Sequence, residues 1–201
     1  MSIAKYHLSY SEELDLTHFT KRFTCNKAML NEWRAVNDCA GIYVQKALYL
    51  DRKNRSIIFE YDSTAKSLIH LNLGDSELFV TLLPGIIRAI DHCHKCGWSH
   101  GDIKPSNILF IPKTCTIRLI DFGASQRLGR KRSALSFWQF TPQFASNNQK
   151  EGTGRVDEMD DWCALLKLIE QFLQSKPNSH LFQKVSYVQS ALRKYIANEI
   201  E

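Results

Sequence analysis

Two short polar loops, each flanked by apolar residues, constrain this chain more than any other feature. The first is His100-Gly101-Asp102-Ile103-Lys104-Pro105-Ser106-Asn107, which runs straight into Ile108-Leu109. The second is Asp121-Phe122-Gly123, which follows Leu119-Ile120. Residues 107–111 and 116–120 are mostly apolar and partly β-branched, so they predict a short hairpin that presents Asp121 at its end. The carboxylates, the amide and the ammonium group of these loops are of the kinds that handle protons or bind a hard divalent ion.

The order H-x-D-x-K-x-x-N followed by D-F-G resembles the catalytic and metal-binding loops of the eukaryotic-type protein kinases. The resemblance implies ATP- and Mg²⁺-dependent phosphorylation of Ser or Thr in a protein substrate. It makes Asp102 the carboxylate that orients the acceptor hydroxyl and receives its proton, and it sets Lys104 against the γ-phosphate. Asn107 and Asp121 would hold Mg²⁺, and Leu109 would form the floor beneath the adenine. A nucleotide brings phosphate oxygens of its own, so Mg²⁺ needs few protein ligands and these two suffice. A lone Asp-Phe-Gly is a weak signal, and the resemblance is carried by both loops occurring in order.

The family holds the nucleotide's phosphates with a lysine steadied by a glutamate on the following helix. Leu30-Asn31-Glu32-Trp33-Arg34 resembles the glutamate-bearing turn, which selects Glu32. For the lysine, Lys21 is preferred, while Lys5 resembles the local motif but lies far from Glu32 in sequence. Phe59-Glu60-Tyr61-Asp62 matches the hinge, so backbone groups of Glu60 and Asp62 would pair with the adenine edge. One departure stands out: no glycine precedes Gly41, so the glycine-rich loop that covers the phosphates is missing. The chain should hold ATP loosely, use another cap, or take one from an activating or loop-supplying partner protein.

Downstream, Thr141-Pro142-Gln143-Phe144-Ala145-Ser146 resembles the substrate-docking segment, and the resemblance implies that Thr141 would hydrogen-bond Asp102 and Lys104. Asp160 matches the helix aspartate that anchors the catalytic loop. These matches, with Lys104, favour a Ser/Thr protein kinase over a small-molecule kinase of the aminoglycoside type. Gly101 replaces the arginine that usually precedes the catalytic aspartate, which argues against switching by loop phosphorylation. Ser146-Asn147-Asn148 stands where A-P-E is usual, consistent with a shortened carboxy-terminal lobe. Arg127, Arg130, Lys131 and Arg132 crowd the activation segment, as a solvated loop or as a site for an acidic partner. The competing class is a pseudokinase that keeps the fold and works by binding a partner.

The chain has 201 residues, 44% of them hydrophobic, and carries a formal charge of +5, values ordinary for one globular body. Nothing in that mild charge calls for nucleic acid, and no segment approaches a membrane span. A cytoplasmic protein is the expectation, although a signal-less secreted effector would read the same. Cys93-His94-Lys95-Cys96 has ligand-like spacing but lacks a second Cys-x-x-Cys pair, so the six cysteines are read as small apolar groups. Periodicity predicts strands over residues 3–10 and 14–23, and a helix from Asn26 to Gly41 presenting Met29, Trp33, Val36 and Ala40. A strand pair follows over residues 43–50 and 56–61, then helices from Asp75, over 157–173 and over 181–196. The helix from Asp75 should bend or loosen at Pro84. The expected fold is α+β and two-lobed: a truncated antiparallel-sheet lobe at 1–61 and a mainly helical, shortened lobe at 62–201.

Overall fold

The computed structural model describes residues 4–11, 16–70 and 76–198. Strands β1 (Ala4–Ser11) and β2 (Leu16–Phe23) pair antiparallel, pairing Tyr6 with Lys21. Residues 12–15, which include most of the turn expected between them, lie outside the described residues, as does the side chain of Lys5. Helix α1 (Asn26–Asp38) follows, then β3 (Ala47–Asp51) and β4 (Ser56–Glu60). The four strands form one antiparallel sheet in the order β1-β2-β4-β3, which sets Lys21 opposite Ile57 and Phe19 opposite Phe59.

Helix α1 lies against this sheet because Ala28, Met29, Ala35 and Val36 recur at helical spacing and are all buried. The face differs from expectation at two places: Trp33 is only half-buried and Ala40 is exposed, beyond the helix end at Asp38. Glu32 takes the buried position instead, for a reason that lies in the site.

The expected strand from Tyr43 begins late, at Ala47, because the preceding residues have another partner. Leu119 donates its N–H to the Tyr43 carbonyl at 2.7 Å, and Gln45 donates to the Leu119 carbonyl at 3.0 Å. Val44 thereby bridges Leu119 in parallel, stitching the segment after α1 to the carboxy-terminal half.

That half starts with the short strand β5 (Lys66–Ser67) and helix α2 (Ser76–Lys95). Pro84 sits within α2 on its exposed side, where water can satisfy the carbonyl it leaves without a partner, and the helix continues through it. Strands β6 (Trp98–Ser99), β7 (Ile108–Ile111), β8 (Thr116–Leu119) and β9 (Gln126–Arg127) frame the two polar loops. β7 and β8 form the expected hairpin, β5 joins its edge, and β6 pairs with β9. Helices α3 (Asn147–Glu151), α4 (Met159–Gln174) and α5 (Ser179–Asn198) complete the described chain.

The core is continuous across both halves. Ile86, Ala89 and Ile90 of α2 and Leu165 and Ile169 of α4 are fully buried, together with Ile108, Ile117 and Leu119 of the hairpin. A small antiparallel sheet with one helix is followed by a mainly helical body, an α+β arrangement. No described helix is long and apolar enough to cross a membrane.

Candidate active site

Lys21 points from the middle of β2 into the space between sheet and hairpin, and only 3% of its surface is exposed. Such a cation needs close anions, and Glu32 and Asp121 supply them. Its Nζ donates to Glu32 Oε1 at 2.7 Å and Oε2 at 2.6 Å, and to Asp121 Oδ1 at 2.6 Å. The polar interruption of the α1 apolar face is therefore the counter-charge to a buried lysine.

The same cation pulls both carboxyl groups down, yet their net shifts are opposite. Burial dominates at Glu32, which is 1% exposed, and raises its pKa from 4.5 to about 7 against the pull of Lys21, with the Asp121 charge adding to the rise. Burial also acts at Asp121, but a third of that side chain is exposed and the Lys21 charge and hydrogen bond prevail, holding it below its ordinary value. Asp121 adopts a left-handed backbone, φ 62°, a conformation that costs energy and recurs at functional positions.

On the opposite wall, Lys104 Nζ donates to Asp102 Oδ2 at 2.7 Å and to Thr141 Oγ1 at 2.8 Å. The Thr141 backbone N–H donates to Asp102 Oδ1 at 2.9 Å, so backbone and hydroxyl of one residue orient the pair. Asn107 donates through Nδ2 to the Asp102 carbonyl at 2.9 Å. Among the described residues, its Oδ1 receives only a long contact of 3.4 Å from the Ser106 hydroxyl. Asn107 Oδ1 and the Asp121 carboxylate are hard oxygen donors on one cleft, a set that fits Mg²⁺.

The loop carrying Asp102 is anchored by Asp161, one residue from the expected Asp160. Asp161 is fully buried and accepts from His94 Nε2 at 2.9 Å and Ser99 Oγ at 3.0 Å. It also accepts from the backbone N–H groups of His100 and Gly101, both at 2.8 Å. Burial alone would raise its pKa, but the His94 hydrogen bond and charge and these donors lower it. Consecutive helix residues point about 100° apart, so Asp160 faces elsewhere: it accepts from Arg132 and from Ser146, each at 2.6 Å.

Lys21, Lys104, Asn107, Leu109 and Asp121 line one cleft of about 520 Å³, with Phe59, Glu60 and Asp62 along its hinge side. That size suits a nucleotide. A protein kinase domain model matches residues 14–199 of this chain. The chain belongs to the protein kinase family.

Three curated kinases illustrate the likeness. The chain is 27% identical to the Citron rho-interacting kinase of Rattus norvegicus over 139 residues, 64% of this chain and 7% of that protein. It is 29% identical over 131 residues to a probable serine/threonine-protein kinase of Streptomyces coelicolor, 60% of this chain and 19% of the other. A serine/threonine-protein kinase of Caenorhabditis elegans matches at 35% over 88 residues, 42% of this chain and 24% of that one. The chain thus spans less than a quarter of the length of these relatives.

Two features of this kinase site were not foreseen. Gln45 lines the cleft and donates through Nε2 to the Glu60 carbonyl at 3.0 Å, while Arg118 pairs with the Glu60 side chain at 2.7 Å. Asp62 turns its carboxylate back onto Thr64, at 2.8 Å from the backbone N–H and 2.6 Å from the hydroxyl. The Gln45 and Arg118 contacts join residues far apart in sequence, which no local motif announces, whereas the Asp62–Thr64 turn is the local kind that Asp-Ser-Thr permits.

Proposed function

We propose that this kinase domain transfers the terminal phosphoryl group of ATP to a Ser or Thr hydroxyl of a protein substrate. The observation that carries the proposal is one cleft flanked by two hydrogen-bonded sets: Lys21 with Glu32 and Asp121, and Asp102 with Lys104 and Thr141. Asp102 accepts the proton of the acceptor hydroxyl as that oxygen bonds to the γ-phosphorus and the bond to the β,γ-bridging oxygen breaks, releasing ADP. Lys104 opposes the charge that accumulates on the transferred group, and Lys21, steadied by Glu32, grips the phosphates. Asn107 and Asp121 would hold Mg²⁺, which when bound neutralises phosphate charge. Leu109 and the hinge backbone at Glu60 and Asp62 would receive the adenine.

The corresponding division is a lobe at 1–61 and a lobe at 62–201, with the cleft between them. A cytoplasmic location and an activating or loop-supplying protein partner belong to the same reading. The competing reading is a pseudokinase that keeps the fold and works by binding a partner. Radiolabelled ATP with Mg²⁺ and a generic protein acceptor separates the two. The kinase should label itself or the acceptor, and Asp102→Ala should lower the signal by at least 10³-fold, as expected when positioning and proton acceptance are both lost. No transfer by the wild type, with or without cell extract as a source of partners, would favour the binding module.

A further inference from the structure

The segment between the Asp121 loop and α3 is fastened from inside. Arg132 and Asp160 are 4% and 3% exposed at their side chains and form an ion pair at 2.6 Å. The second carboxylate oxygen of Asp160 accepts from Ser146 Oγ, also at 2.6 Å. Ser146 caps α3 by accepting from the Gln149 N–H at 3.1 Å, and the Gln149 side chain donates to the Gly101 carbonyl at 2.6 Å. A continuous chain of polar contacts therefore runs from the activation segment to the residue before Asp102. The backbone adds a ribbon: Gly129 N–H to Val156 O at 2.8 Å, Val156 N–H to Arg130 O at 2.9 Å, and Arg132 N–H to Gly154 O at 3.1 Å.

Gly101 explains why the fastening takes this form. Its φ is +78°, and a Cβ there would lie 2.8 Å from the Ala124 carbonyl oxygen, so no side chain fits without movement of the backbone. The catalytic loop cannot present a cation at this place to receive a phosphorylated segment. Here the segment carries the cation itself, and the anion is a carboxylate on the fixed helix α4.

We infer that Arg132, Asp160 and Ser146 are positioning residues that hold the activation segment in its substrate-accepting form without phosphorylation. The inference rests on the kinase reading above. A buried carboxylate is present as long as the chain is folded and no phosphatase removes it, so the domain is set permanently on at this switch.

The test uses protein treated with a broad-specificity phosphatase and shown by intact mass to carry no phosphate. Its transfer rate should stay within twofold of the untreated protein; a loss of tenfold or more overturns the inference. Arg132→Ala should lower kcat/KM for the protein acceptor at least tenfold while leaving thermal stabilisation by Mg·ATP unchanged, and Arg132→Lys should recover most of the loss. Chymotrypsin, with sites at Leu135, Phe137, Trp138 and Phe140, should nick Arg132→Ala at least tenfold faster than wild type. Wild-type kinetics and digestion in Arg132→Ala overturn the inference. Should that variant fail to fold, Ser146→Ala removes the bond to Asp160 together with the α3 cap, leaves the Arg132–Asp160 pair in place and should show the same accelerated nicking, and its absence counts against the idea. A wild type with no transfer but with Arg132-dependent protection would sink the kinase reading while supporting the clamp.

Discussion

Replacing Asp161 with Asn should cost about 4 kcal/mol of folding stability, and the figure follows from its four donors. Hydrogen bonds to a charged acceptor contribute about 1.5–3 kcal/mol each, roughly twice the neutral value. With the Asn oxygen in place of Oδ2, contacts to His94, Ser99 and the His100 N–H survive, weakened by loss of charge. The amide nitrogen then faces the Gly101 N–H, donor against donor, and a buried unsatisfied donor costs about 1–3 kcal/mol. The opposite flip is worse, since three contacts meet the wrong group. Urea unfolding followed by fluorescence of the buried Trp98 and Trp162 measures the change.

The pH dependence supplies a second check on the same variant. His94 is pushed down by burial, but Asp161 more than compensates, so its pKa stands above 6.5. A raised histidine stabilises the fold below its unfolded pKa and loses that contribution as pH rises through the folded value. Asp161, held below 3.8, stabilises above that pH and loses its contribution on acidification. The pair therefore contributes most between about pH 4 and 6.5, and in Asp161→Asn the decline of stability above pH 6.5 should shrink. A loss under 1 kcal/mol, or a larger loss in Asp160→Asn with the loop chemistry abolished there instead, would refute the assignment of Asp161 as the loop anchor.

Glu32→Gln in metal-free, nucleotide-free protein should flatten the pH dependence of stability. Because the folded carboxyl sits near 7 against 4.5 in the unfolded chain, wild-type stability should fall by about 3 kcal/mol from pH 4.5 to 7 and level off above, and a parallel curve in the variant would contradict the burial argument. Asp121→Asn should abolish the rise in Tm produced by Mg·ATP; retention of the full rise would exclude Asp121 as a metal ligand. Gly152→Ala would set a Cβ 2.1 Å from Cη2 of Trp138 at a φ of +73°, so a loss of about 2–4 kcal/mol is expected on calorimetry.

The helices and the hairpin were legible because their apolar residues recur with a clean period, as Phe79, Leu82, Leu83, Ile86 and Ile90 do in α2. The paired loops were legible because their chemistry is written at fixed spacing. Asp161 was misassigned by one residue because Asp160 and Asp161 are adjacent carboxylates at a helix start, and only the helix rotation about its axis decides which meets the loop. Arg132 read as one of four exposed cations, since nothing in Arg130-Lys131-Arg132 shows that the third turns inward. Tyr43 to Gln45 have strand-like side chains and spend their hydrogen bonds on Leu119, a partner far away in sequence. Long-range pairing of this kind leaves no local trace.

The stitch between Val44 and Leu119 has a mechanical consequence. Two backbone bonds to one residue fix the segment before β3 to the hairpin, and Asn31 to Ser125 and Trp98 to Asp38 hold α1 to the same half, so the sheet can tilt over the cleft but cannot slide along it. Lys21 ties β2 to Asp121 as well, which leaves β1, the edge of the sheet opposite β3, with the longest lever arm about the join.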